Sequence, residues 1–305
     1  MIKTSDQIVF FGSGPVAAKS LEFLVNIFTV EAVVTKPNLG DHINSLPVIE
    51  LAKKLGIKLY TPSNKQDLDD LIRLKVLKSD IGVLIDYGII VSQEVIDYFK
   101  LGIVNSHFSL LPLLRGPDPI SFAILNGSNI TGVSLMLLSS GIDEGNLIAQ
   151  NNLKVGNLNN IELTKKLIDL SNNMIAEFLP KYISGELMSY PQSTSLAPTY
   201  SKKLDKQDGL IDWHKSAIDI EREIRAYISW PKSSTNIYGI PVIITSAEIV
   251  ESFGKPGDIK YDKNSLTIGC LSGSLSINKL KPSGKNEMSI SSFISGYSRL
   301  FKLEN

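Results

Sequence analysis

At 305 residues, with 43% hydrophobic and 20% charged residues, the chain has the composition of a soluble globular protein long enough for two domains. No run of 18 uncharged apolar residues occurs, which excludes a membrane helix, and Met1–Gln7 lacks the apolar core of a signal peptide. One cysteine, Cys270, excludes an internal disulfide framework and fits a reducing cytoplasm, while 31 basic against 31 acidic residues announce no polyanion partner.

The first half alternates strands and helices. Apolar strands are expected at Gln7–Phe11, Val30–Thr35, Ile57–Tyr60, Ile81–Ile85 and Ile103–Asn105, and helices at Pro15–Leu24, Leu46–Leu55, Lys65–Leu77 and Ser92–Phe99. This repetition predicts an α/β fold, a doubly wound parallel sheet. A helix at Pro119–Leu125, strands at Gly132–Leu138 and Leu147–Leu153 and a long helix at Asn160–Ile183 complete a domain over residues 1–186. Residues 187–207 have linker composition, rich in Ser, Pro, Thr and Lys. Beyond it come a helix at Ala217–Tyr227 and five short strands, Ser234–Tyr238, Val242–Ile249, Asp258–Tyr261, Ser265–Cys270 and Ser274–Leu280. That spacing predicts a small OB-like β-barrel over 208–305. The chain from Tyr200 onward holds 15 basic and 12 acidic residues, an asymmetry that permits nucleic-acid contact without demanding it.

Asn105 and His107 lie two apart and therefore share one face of the fifth strand, at the strand end where open α/β sheets bind ligands. Asp143, in Gly-Ile-Asp-Glu-Gly145, is the carboxylate that can complete the set from a later loop. Other candidate sites are weaker. Gly12-Ser-Gly14-Pro-Val-Ala17 half-matches a dinucleotide fingerprint, but the second strand ends on Val34-Thr35-Lys36 and not on a ribose-binding carboxylate, so a tight strand-to-helix turn is the better reading. His42, His107 and His214 show no paired ligand spacing, and no metal is expected. Cys270 reads as a packed thiol.

The ordered string Asn105-Ser-His107-Phe-Ser-Leu-Leu-Pro-Leu-Leu-Arg115-Gly116, then Gly127, Thr131-Gly-Val133 and Asp143-Glu-Gly145, resembles the signature of 10-formyltetrahydrofolate-dependent formyltransferases. The resemblance implies transfer of a formyl group from that folate to a primary amine, with Asn105 donating to the oxyanion, His107 as second donor or proton relay, and Asp143 orienting His107. It implies a folate pocket from Ser109, Leu110, Leu111 and Pro112, with Ser109 a polar anchor and the others an apolar wall. The backbone of Asp86, Tyr87, Gly88 and Ile89 would hold the pteridine, although Asp86 stands where members that serve translation typically carry Ala.

Two branches of the family offer different acceptors, methionyl initiator tRNA and a nucleotide-linked amino sugar; a folate-binding module without turnover is the reading outside catalysis. Asp208-Gly-Leu-Ile-Asp-Trp213, Ile224–Pro231, Pro256-Gly-Asp-Ile259 and Leu280–Lys285 resemble the C-terminal domain of the tRNA branch, which favours a tRNA-acting enzyme of translation initiation. Arg115, Arg225, Lys232 and Lys281 are the candidate tRNA contacts, although for Arg115 the reading that it ties down its loop is slightly favoured. Against this, Lys36–Pro47 is short where the tRNA branch carries a long basic loop. A monomer is expected.

Overall fold

A computed structural model describes residues 6–38 and 46–301. The chain falls into two compact units, the first comprising Met1–Pro119, Ile130–Lys154 and Thr164–Ser201, and the second Ile120–Asn129, Val155–Leu163 and Lys202–Asn305. These boundaries differ from the expected division at 186 and 208 in two ways. Residues 187–201, despite linker composition, stay with the first unit, because Tyr190 bridges Leu147 and Tyr200 bridges Arg115. Residues 155–163 group with the second, where Arg225 donates to the Leu158 carbonyl at 3.1 Å.

The first unit is built on a seven-stranded sheet. Its strands are β1 (Gln7–Phe11), β2 (Thr29–Val34), β3 (Lys58–Tyr60), β4 (Gly82–Leu84), β5 (Ile103–His107), β6 (Ile130–Leu137) and β7 (Leu147–Lys154), in the order β3-β2-β1-β4-β5-β6-β7. The first five run parallel, β6 pairs antiparallel with β5, and β7 pairs antiparallel with β6. Ile8 to Phe11 of β1 are fully buried, as a central parallel strand covered on both faces must be. Helices α1 (Pro15–Leu24), α2 (Leu46–Lys54), α3 (Lys65–Arg73) and α4 (Gln93–Tyr98) connect the parallel strands. Asn64 and Ser92 cap α3 and α4 by accepting from Asp67 N and Val95 N. The α3 helix ends four residues short of the expected Leu77. Lys75 turns left-handed, at φ 51°, and the chain redirects Leu77 into the core at 5% exposure. Helix α5 (Pro119–Leu125) follows β5, and α6 (Asn160–Ile183) follows β7.

The second unit holds α7 (Ala217–Ala226) and an antiparallel sheet of β8 (Ser234–Ile237), β9 (Ile240–Val250), β10 (Ile259–Tyr261), β11 (Leu266–Gly269) and β12 (Ser274–Pro282). Its order, β10-β11-β12-β9-β8, makes a half-barrel, with β13 (Met288–Ser289) added to β12. One helix escaped the sequence reading, α8 (Ile290–Gly296), which buries Ile290, Phe293 and Ile294 against the half-barrel. Cys270 sits in the same core at 4% exposure, and burial pushes its thiol up to about 11.

Candidate active site

Strand β5 is buried at all five positions, and its alternation sorts them onto two faces. Ser106 points to one side and shares a hydrogen bond with Ser171 Oγ at 2.7 Å. Asn105 and His107 point to the other, 8% and 6% exposed. The Asn105 amide has no hydrogen-bond partner among the described residues. The His107 ring is held at one nitrogen, since Nε2 donates to the Leu114 carbonyl at 2.9 Å. Its other nitrogen, Nδ1, faces Asp143 Oδ2 at 3.6 Å.

Asp143 lies between β6 and β7 in a left-handed conformation, φ 52°. Its Oδ2 also accepts from Gly116 N at 2.7 Å, which couples its position to the loop after β5. Leu114, at φ 56°, and Gly116, at φ 104°, give that loop its turns, and Arg115 N donates to Thr199 O at 2.9 Å. Thus two loops distant in sequence close on one imidazole and one carboxylate.

The residue that joins them was invisible to the sequence reading. Gln192 Nε2 donates to the carbonyls of Asp143 (2.7 Å) and Gly145 (3.0 Å), and its Oε1 accepts from Arg115 Nη2 at 2.8 Å. A lone Gln in a Pro- and Ser-rich stretch carries no local signal. Gln192→Leu keeps the volume and strands these groups, so we expect stability to fall by about 1–3 kcal/mol in denaturant titration. Turnover should fall about tenfold in the same protein, through a misplaced Asp143.

Arg115 takes the loop-tying part. Its residue is 9% exposed, with Nη1 3.2 Å from Glu144 Oε1 and Nη2 on Gln192, so its guanidinium ties the site loops together and does not present itself to a phosphate. Arg225 is similarly spent, in a two-point pair with Glu221 and on the Leu158 carbonyl. Lys232 and Lys281 are exposed. Residues 39–45 of the short loop at Lys36–Pro47, and His42 with them, lie outside the described residues. Among the described residues no three His, Cys, Asp or Glu side chains converge as a metal site, and His214 pairs with Asp212 at the surface.

The expected folate-lining residues divide. Ser109 is buried and its hydroxyl donates to the Leu113 carbonyl at 2.6 Å, so it braces the loop and is not a free anchor. Leu111 packs with Met136 and Leu147, and Pro112 is buried too. Leu110 remains half-buried against Gly132, where a Cβ would come within 2.6 Å of its Cδ2. After β4, Tyr87 is buried edge-on to Phe11, its hydroxyl without a partner among the described residues, and burial raises its pKa. Ile89 is half-buried beside it. Gly88, at φ 73°, lies under the Lys36 ammonium.

Asp86 is also left-handed, φ 50°, and its carbonyl accepts from Ser13 N at 2.9 Å. Its residue is open to solvent, yet its carboxyl oxygens lie against Gly14, where a Cβ would fall 2.0 Å from Oδ2. Lost hydration pushes the carboxyl up to about 6, and Lys36 pulls it back. Gly12 is explained by packing: a Cβ there would strike Ala17 and the Ile85 carbonyl, as the tight-turn reading requires.

Comparison with known proteins agrees with this layout. Residues 21–179 match the family described as formyl transferase, and 203–298 match its C-terminal domain. The chain is 35% identical over 292 residues to the methionyl-tRNA formyltransferase of Roseiflexus castenholzii, covering 92% of this chain and 93% of that one. It is 32% identical over 303 residues to the methionyl-tRNA formyltransferase of Pseudoalteromonas translucida, covering 96% and 94%. Among solved structures, an N-formyltransferase from Helicobacter canadensis in complex with folinic acid and dTDP-3-aminofucose shares the fold. Its TM-score is 0.68 at 22% identity, covering 90% of this chain and 98% of that one. HypX from Aquifex aeolicus in complex with tetrahydrofolic acid does so at TM-score 0.64 and 18% identity, covering 98% and 48%.

Proposed function

The chain belongs to the methionyl-tRNA formyltransferase family, and on that premise we propose that it transfers the formyl group of 10-formyltetrahydrofolate to the α-amino group of methionyl initiator tRNA, in translation initiation. The observation that carries the reading is the convergence of Asn105, His107 and Asp143, from β5 and a distant loop, on one buried face. Residues 1–186 are read as the catalytic domain and 208–305 as the part that helps hold tRNA.

The site fits a folate donor in two respects: an unpartnered amide, Asn105, at its centre, and half-buried apolar side chains, Leu110 and Ile89, on the segments expected to line it. Bound there, the donor supplies an activated formyl group. When the amine attacks the formyl carbon, negative charge grows on the formyl oxygen, the attacking nitrogen loses a proton, and as the oxyanion collapses the bond from the formyl carbon to the folate nitrogen breaks and that nitrogen leaves protonated. Asn105 Nδ2–H is free to donate to that oxygen, the term that usually dominates acyl transfer. The hydrogen bond to Leu114 stops the His107 ring from rotating and keeps Nδ1 beside Asp143, a short path for a proton. Asp143 is positioned for this by Gly116 and Gln192.

The test is formyl transfer at low salt to methionyl initiator tRNA, beside a nucleotide-linked amino sugar. Formylated methionyl-tRNA, lost in the His107→Ala protein, is the expected result. Turnover of the sugar with none of the tRNA would overturn the choice of acceptor.

A further inference from the structure

We propose that Ser134 and Gln150 are positioning residues for the formyl donor. The Ser134 hydroxyl, held by the Gln150 amide, fixes the backbone on both sides of Leu110 and so sets that side chain as a preformed wall for the folate. The inference rests on the formyl-transfer reading and names what prepares the donor site before the donor arrives.

Strand β6 places Ser134 opposite His107 of β5, and β7 places Gln150 opposite Ser134. Antiparallel partners lie about 5 Å apart and point their side chains to the same face, so His107, Ser134 and Gln150 form one row. The loop after β5 is bonded to that row. The Ser134 hydroxyl donates to the Ser109 carbonyl at 2.6 Å and accepts from Leu111 N at 3.0 Å and from Gln150 Nε2 at 2.8 Å. A hydroxyl has one hydrogen and two lone pairs, and all are used. Gln150 Nε2 also donates to the Leu111 carbonyl at 2.8 Å. Ser134 is fully buried, so bulk water does not stand in for a lost partner.

These bonds bracket one residue. The Ser109 carbonyl belongs to the peptide unit before Leu110, and Leu111 N to the unit after it. Because each unit is planar, tying both to one hydroxyl restrains both backbone dihedrals of Leu110. The Leu110 carbonyl in turn accepts from Leu113 N at 3.0 Å. Its side chain lies on Gly132, which shares the Ser134 face of β6, and Leu110 Cδ2 fills the space a Cβ would need there. Half-buried, Leu110 keeps part of its surface open to a ligand. An apolar side chain already fixed in place receives a ring without the cost of ordering it first. Leu114, whose carbonyl holds the His107 ring, is anchored separately, since its N donates to Thr199 Oγ1 at 2.8 Å. Loss of the Ser134 clamp therefore falls on the donor wall and spares the imidazole.

Equilibrium binding of folinic acid to the full chain tests this. Ser134→Ala should weaken binding about tenfold, the cost of a wall that must be ordered as the ligand binds. In turnover the KM for the formyl donor should rise by a similar factor while kcat stays within about threefold, the split that marks lost ground-state binding. Ser134→Thr keeps the hydroxyl with its one donor and two acceptors, and should stay within about twofold of the wild type. Leu135→Ala is the control for stability alone: Leu135 is fully buried on the opposite face of β6, and its truncation should lower the melting temperature and leave folinic acid binding intact. Gln150→Leu, at a half-buried position, removes the clamp's other end and should weaken binding about threefold, the size of one neutral hydrogen bond. Unchanged affinity in Ser134→Ala or in Gln150→Leu, or an equal loss in Leu135→Ala, overturns the proposal. Failure of the formyl-transfer reading is seen separately, as a wild type that binds folinic acid but transfers no formyl group when donor and acceptor are supplied.

Discussion

Asn105→Ala is expected to lower kcat by about 10²–10³-fold, the loss seen when one oxyanion donor is removed from an acyl-transfer site. The KM for folate should change little, because the amide is needed where charge develops and not where the donor rests. The folded protein should survive the change. The Asn105 side chain accepts and donates no hydrogen bond among the described residues, so its truncation strands no partner, and the melting temperature should stay within a few degrees. His107→Ala should be at least as damaging to turnover, but less innocent structurally, since the Leu114 carbonyl loses its donor. The double variant should be little worse than the poorer single one, because residues that act as a unit are not additive. Single-turnover formyl transfer, with melting curves on the same preparations, reads all of these. Near-wild-type turnover in a folded Asn105→Ala protein would sink the assignment.

Gly145→Ala should damage both fold and chemistry. A Cβ there would lie 1.7 Å from the Leu137 carbonyl oxygen, a backbone atom of β6 that cannot rotate away. The same stretch of chain holds Leu137 N on Asn146 O at 2.8 Å and the Gly145 carbonyl on Gln192. Relief therefore requires moving the loop that carries Asp143. Overpacking of this kind costs about 1–3 kcal/mol or more. A shift of about 1 Å in a positioned group can cost about 10²-fold in rate. Gly141→Ala, on the other side of Asp143, is the control. The three atoms nearest its Cβ would all belong to the Glu144 side chain, whose end can move away. Urea titration and kcat should separate the two variants clearly, and a mild Gly145→Ala would refute the account of why that glycine is there.

Much of the fold was legible because it is local. Buried parallel strands read as apolar runs such as Ile8-Val-Phe-Phe11, and caps such as Asn64 and Ser92 mark helix starts. The missed helix α8 also had a local signature, Ser289 as cap followed by Ile290, Phe293 and Ile294 at helical spacing, but in a run only seven residues long. The overestimate of α3 has the opposite cause. Leu77 continues an apolar period that the backbone abandons at Lys75.

The residues that carry the chemistry divide along the same line. The sequence by itself determined that Asn105 and His107 share a face, because side chains alternate along any strand, and it placed both at the ligand-binding end of a parallel sheet. Only the tertiary structure decided that β6 pairs antiparallel with β5 and β7 with β6, that Asp143 meets His107, and that Gln192 joins their loops. It also showed Arg115 and Arg225 paired within the protein. The meeting of Asp143 with His107 and the Gln192 link join residues tens of positions apart, and such contacts depend on how loops close in space, which no local pattern of apolar and polar residues encodes.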